Sequence, residues 1–154
     1  MEGRKLVRLN LGCGKEILKN FINLDGFKGP GVDMIWDLNE FPYPFKDNSV
    51  DYILASHILE HLREPTLFLD EMNRILKQGG RLKIKVPHCN AMGAFACFGH
   101  RNYYHEVAIK TICFEEGYDG NDYKPIWKLI QSKVKRGRFL KWQKREIIWI
   151  VEKK

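Results

Sequence analysis

Over the first ninety residues, short apolar runs alternate with polar stretches broken by glycine. Leu6–Leu11 reads as a first strand, cut off by Gly12-Cys13-Gly14. Phe21–Leu24 is a second apolar run ending at Asp25, and Val32–Trp36 a third ending at Asp37. Phe41-Pro42-Tyr43-Pro44-Phe45 cannot be regular structure, because its two prolines lack amide donors. Val50–Ser56 predicts a strand leading into a helical turn over His57–Leu62. Pro65 suits the first turn of a helix, where its missing N–H costs little. Phe68, Met72, Ile75 and Leu76 follow at helical spacing, and Gly79-Gly80 are expected to end that helix. Arg81–Val86 alternates basic and apolar residues and stops at Pro87, as a strand would. Residues 88–122 show no clean period and are expected to form a loop-rich insertion with one helix near Glu106–Phe114. Ile126–Val134 and Glu146–Val151 read as the two strands of a hairpin.

Strands alternating with helical or loop segments predict an α/β fold, mostly parallel, to which the hairpin adds an antiparallel edge. The 154 residues read as one domain, with 1–87 as its first half and 88–154 as an insertion plus hairpin. An apolar fraction of 44% and a charged fraction of 29% are ordinary for a globular protein. No apolar run is long enough for a membrane helix, and no signal-peptide pattern opens the chain, so a cytoplasmic protein is expected, without membrane insertion. The cysteines Cys13, Cys89, Cys97 and Cys113 are then read as reduced thiols.

Charge changes this picture in the second half. Residues 1–86 hold 13 Lys/Arg against 12 Asp/Glu, whereas residues 87–154 hold 13 against 7. The excess is densest from Lys128 to Arg145, through Lys133, Lys135, Arg136, Arg138, Lys141 and Lys144, with no acid between. Such a run attracts anionic partners, nucleic acid among them; the plainer reading is a solvated edge hairpin protected by lysines.

The candidate chemistry begins at the glycine turn. Two glycines directly after a strand let backbone amides approach a ligand. Ile17 stands where a dinucleotide fingerprint would place a third glycine, which disfavours NAD. Asp25 and Asp37 each end a predicted strand on the same side of the sheet, where open α/β sheets bind ligands. One carboxylate can accept from both hydroxyls of a ribose, and the other from an adenine amino group.

These residues resemble the class I S-adenosylmethionine-dependent methyltransferases, in the small type 11-like form. Leu9-Asn10-Leu11-Gly12-Cys13-Gly14 with Phe21-Ile22-Asn23-Leu24-Asp25 is similar to the family's glycine-loop motif. Asp37-Leu38 with Phe41–Phe45 and Asp47–Asp51 resembles its adenine-side segment. Ser56-His57-Ile58-Leu59-Glu60-His61-Leu62 resembles its motif after the fourth strand, and Ile75–Leu82 its turn into the fifth. The likeness runs unbroken over about residues 6–87. It implies a Rossmann-like, doubly wound sheet of strand order 3-2-1-4-5-7-6 and S-adenosyl-L-methionine as cofactor. The turn Asn10, Leu11, Gly12, Cys13 and Gly14 would line the methionine end. Asp25 and Gly26 would sit at the ribose, Asp37 and Leu38 at adenine, and Ser56 and His57 beside the sulfonium. Two departures stand out. Asn10 replaces a common acid, and Asp25 follows Gly14 by only 11 positions, so the first crossover must be a stub or a loop.

The implied activity is methyl transfer to an O or N atom of an unidentified acceptor. His57, His88 and His105 are the candidate catalytic bases, and the cluster His100-Arg101-Asn102-Tyr103-Tyr104-His105-Glu106 suits a planar or anionic acceptor. His61 is expected near the core-facing side. No metal is expected, because the cysteines lack the two-to-four-residue spacing of structural zinc sites. Trp127, Trp142 and Trp149 among the basic residues allow a nucleic-acid module, or simply close the core. A third possibility is a catalytically silent cofactor-binding or scaffold subunit.

Overall fold

A computed structural model describes residues 6–113, 126–136 and 144–154. The strands are β1 (Arg8–Leu11), β2 (Ile22–Asp25), β3 (Met34–Ile35), β4 (Val50–Ser56), β5 (Leu76–Pro87), β6 (Trp127–Arg136) and β7 (Lys144–Lys153). They form one seven-stranded sheet of order β3-β2-β1-β4-β5-β7-β6, as the resemblance implies. β3, β2, β1, β4 and β5 run parallel, and β7 is antiparallel to both β5 and β6.

The strand register sorts the side chains into two faces. Leu9, Ile53, Leu82, Val151 and Leu129 stand opposite one another in a row across five strands, and the first four are wholly buried. The next row, Asn10, Leu54, Lys83, Ile150 and Gln131, points to the other face and is mostly part-exposed. Helix α1 (Pro65–Ile75) covers the first face through Phe68, Met72 and Ile75, each wholly buried. Side chains of this size are each worth about 1.5–3 kcal/mol when fully buried. Two one-turn helices follow, α2 (Met92–Phe95) and α3 (Lys110–Cys113). Ile109 and Cys113 join the same apolar cluster.

Pro65 opens α1, but the helix stops at Ile75, short of Gly79-Gly80. Leu76 keeps helical spacing in the sequence, yet it is extended (φ −68°, ψ 142°) and pairs with Val50 of β4. The register slips before Tyr52 meets Arg81, and Gly79 (φ +72°) lies in that irregularity. The other differences are smaller. β3 keeps only two residues of the expected run, α3 is shorter than the helix expected near Glu106–Phe114, and α2 was not expected. Between Arg8 and Ile58 no helix forms, so the first crossover is a loop.

Candidate functional site

The glycine turn starts where β1 ends. Leu11 is wholly buried, so only its backbone is at the turn. Gly12 (φ +61°) and Gly14 (φ +50°) both take the left-handed conformation that residues with a Cβ avoid. A Cβ on Gly12 would collide with Cγ2 of Ile58, whereas one on Gly14 would meet nothing within 4 Å. Gly12 is therefore fixed by packing, whereas Gly14 has open space where a side chain would stand.

Asp25 locks this turn to the end of β2. Its Oδ2 accepts from the Gly14 N–H at 2.7 Å and its Oδ1 from the Phe27 N–H at 3.1 Å. The Cys13 N–H donates to the Leu24 carbonyl at 3.1 Å, and burial raises the pKa of the Cys13 thiol. Gly26 is exposed beside them. Asp37 is exposed just beyond β3, and its Oδ1 accepts from the Asn39 backbone N–H at 2.9 Å and side-chain amide at 3.1 Å. Those bonds, the backbone one foremost, hold its carboxyl below the usual range. The Leu38 carbonyl accepts from the Tyr43 hydroxyl at 2.8 Å, and Tyr43 is buried. Arg74 of α1 grips this loop, donating to Glu71, Asp47 and the carbonyls of Tyr43 and Phe45.

Asn10 is 2% exposed and lies beneath the crossover rather than at the open turn. Its Nδ2 donates to the Glu16 carbonyl at 2.7 Å and to Asn23 Oδ1 at 3.0 Å.

At the C-terminal ends of β4 and β5 lies a cavity of about 550 Å³. Its walls include His57, Glu60, His61, Pro87, His100 and Arg145. Ser56 closes β4, half-buried, and His57 follows with φ +56°, a conformation a non-glycine residue pays for. The His57 ring spans two carboxylates, with Nδ1 3.3 Å from Glu60 Oε1 and Nε2 2.9 Å from Glu146 Oε1. The Glu60 bond, then the Glu146 bond, raises its pKa above the ordinary histidine value against the effect of burial. That favours the cation, which donates hydrogen bonds and makes a poor base.

The other histidines separate. His88 is wholly buried. Its Nδ1 accepts from the Asn90 N–H at 3.0 Å, so Nε2 carries the proton and donates to Glu106 at 2.5 Å. With both nitrogens used and no exposure, His88 does not reach an acceptor at the mouth. His105 is half-exposed, 3.2 Å from Glu106, and outside the cavity wall. His61 is exposed rather than core-facing, because the turn Leu59–His61 buries Leu59 and Glu60 instead.

The family comparison fits this geometry. Residues 27–84 match the Methyltransferase domain family. Over 70 residues the chain is 34% identical to the demethylmenaquinone methyltransferase of Staphylococcus carnosus, covering 46% of this chain and 25% of that protein. A methyltransferase structure from Archaeoglobus fulgidus superposes with a TM-score of 0.68 at 16% identity, covering 96% of this chain and 86% of that one. The 1,6-didemethyltoxoflavin-N1-methyltransferase of Burkholderia thailandensis, solved with S-adenosylhomocysteine, superposes at 0.66 and 14% identity, covering 98% and 72%. The chain has the class I methyltransferase fold, and residues 27–84 match the methyltransferase family model. It spans well under half the length of the curated relatives it matches.

The residues of this domain fit an S-adenosyl cofactor at the glycine turn. Gly14 has open space where a Cβ would stand, and carboxylates sit at the ends of β2 and just past β3. Sequence reasoning passed over Glu60 and Glu146, which together hold His57. Glu146 lies 89 positions from His57, and nothing in the local pattern marks it as a partner. The basic hairpin keeps its charge exposed, and its two described tryptophans close the core. Lys128, Lys133, Lys135, Arg136 and Arg145 are exposed, but Trp127 and Trp149 are buried, so neither can stack on a base. Trp142, Arg138 and Lys141 lie outside the described residues. No helix among the described residues is long and apolar enough to cross a membrane.

Proposed function

We propose that this domain methylates an O or N atom of an acceptor that enters the cavity beside His57, with S-adenosylmethionine as the donor. The observation that carries this reading is the joint between Gly14 and Asp25, which sets an exposed left-handed glycine turn and a carboxylate at one point. When bound, the cofactor supplies a methyl group already activated on a sulfonium. The backbone at Gly12–Gly14 would hold its amino-acid end and Asp25 its ribose hydroxyls. Asp37 and the Leu38 backbone would hold adenine, and Ser56 would border the sulfur.

For such a donor the enzyme's main task is to place the acceptor in line. Arg145, His57 and Glu60 give the cavity a polar lining of mixed charge, which favours an acceptor with strongly polar groups. Met92 and Phe95 stand exposed on α2, and Phe95 stacks on Tyr103 at 4.6 Å. They offer an apolar ledge to the acceptor's body, since Met92 also lines the cavity.

Calorimetric titration with S-adenosylhomocysteine tests the reading. We expect micromolar binding by the wild type, weakened at least about tenfold in Asp25→Ala, a loss of about 1.4 kcal/mol or more. No binding by the folded wild type would overturn it and favour a silent scaffold subunit.

A further inference from the structure

We infer that Glu60, His61 and His100 form a binding site for a divalent transition metal of the zinc type, open toward the acceptor cavity. One ligand atom from each residue lies within 4.8 Å of the other two, and all three line that cavity.

Three features mark a prepared site rather than a chance cluster. Glu60 is 1% exposed, and its Oε2 is buried without a hydrogen-bond partner. A buried carboxylate oxygen left in that state is costly unless something else coordinates it. The two imidazoles are set in the same tautomer. His61 Nδ1 lies 3.1 Å from the Gly99 carbonyl and His100 Nδ1 lies 2.7 Å from the Ala94 carbonyl. A carbonyl only accepts, so each Nδ1 carries the proton and each Nε2 keeps its lone pair, which is how protein carbonyls orient metal-binding histidines. The two segments are also stitched together. The Glu60 carbonyl accepts from the N–H groups of Arg101 (2.7 Å) and Asn102 (3.1 Å), and Asn102 Nδ2 donates to the carbonyls of Leu59 and Leu62.

The second histidine cluster shows the contrast. His88, His105 and Glu106 are equally close, but the Asn90 N–H consumes the His88 Nδ1 lone pair and its Nε2–H is given to Glu106. That cluster is a strut. Two histidines and one carboxylate are a donor set that suits zinc and leaves a coordination position open, as in catalytic rather than structural sites. No cysteine is needed, so the cysteine spacing that argued against a metal does not bear on it.

A metal here would lower the pKa of a coordinated acceptor hydroxyl, work that the engaged His57 and the buried His88 do not do. That use rests on the methyltransferase reading; metal binding itself does not.

The test titrates the purified chain with Co²⁺, without cofactor or acceptor, following the visible absorption of the bound ion, with Zn²⁺ as competitor. We expect one saturable site, displaced by Zn²⁺. Removing outer-shell partners alone costs about 10–100-fold in affinity, so His61→Ala and His100→Ala should each weaken binding by about a hundredfold or more. Cys97→Ser should leave it unchanged. Absence of a saturable site, or affinity that survives both histidine substitutions in variants that still melt cooperatively, overturns the proposal. Should either variant not fold, the wild type decides: Zn²⁺ must shift the ring nitrogens of His61 and His100 most, with a smaller change at His57, which shares Glu60, and none at His88 or His105. A metal result in either direction leaves the S-adenosylhomocysteine titration standing on its own.

Discussion

On the β4–β5–β7 side of β1 the sheet is held by apolar packing; on the β2–β3 side Leu24 joins that core, but the connection is tied down by a ladder of amides. The packed side has α1 laid over Ile53, Leu82 and Val151, with Trp127 and Trp149 closing it at the hairpin. Among the described residues, no helix lies between Arg8 and Ile58 to cover the other side. Residues 12–21 join β1 to β2, and a parallel crossover usually takes a dozen residues or more with a helix in it. Here side-chain amides replace the helix. Asn23 Oδ1 accepts from the Leu18 N–H (2.9 Å) and from Asn10 (3.0 Å), and Asn23 Nδ2 donates to the Leu18 carbonyl (3.2 Å) and Asp33 (3.1 Å). Asn10 is part of this ladder. The difference teaches that a sheet with a shortened crossover can keep its strand order if buried polar groups satisfy one another.

The largest effect should come from the packed side. Phe68→Ala opens a cavity under α1 at a wholly buried position and should cost about 3–5 kcal/mol in urea denaturation. A loss below about 1 kcal/mol would mean that α1 is not what holds this half.

Asn23→Ala should cost less, about 1–3 kcal/mol, because it leaves buried donors and acceptors without partners. Its signature is local. Hydrogen exchange should speed up across residues 12–21, and S-adenosylhomocysteine affinity should fall with it, while protection in α1 is unchanged. Uniform acceleration in both halves would erase the distinction drawn here.

The two regions also differ in how far they could be read in advance. The glycine turn, Asp25 and Asp37 are legible because each closes a contiguous apolar run, whereas the strand order is legible only through the family resemblance those runs carry. The end of α1 is not, since Leu76 continues the helical spacing and only its pairing with Val50 pulls it into β5. The mouth is the least legible part. Glu60 in a polar-looking turn gives no sign of burial, and His100 comes beside His61 only through hydrogen bonds from Arg101 and Asn102 back to Glu60. Three histidines fit a base equally well in the sequence, and burial and hydrogen-bond partners alone separate them.

The smallest effect sharpens the comparison by pH. Asp33 is exposed, and its carboxylate accepts from the Asn23 backbone N–H at 2.7 Å and from the Asn23 side chain at 3.1 Å. These bonds, the backbone one foremost, lower its pKa below the ordinary carboxylate value. A depressed folded pKa contributes stability that is fully present above the unfolded value and is lost as pH falls through the folded one. Asp33→Asn removes that charge and its titration. The wild type should therefore be slightly the more stable protein near neutral pH. The gap should start to close below about pH 4, the unfolded carboxylate range, and vanish once pH is below the folded pKa. The group is exposed, so the gap is small and is best read as a difference between paired melts across a pH series. Its loss should coincide with movement of the Asn23 side-chain amide resonances. A gap that stays constant with pH would show that Asp33 serves the ladder by shape alone, and that the amides hold this half without help from charge.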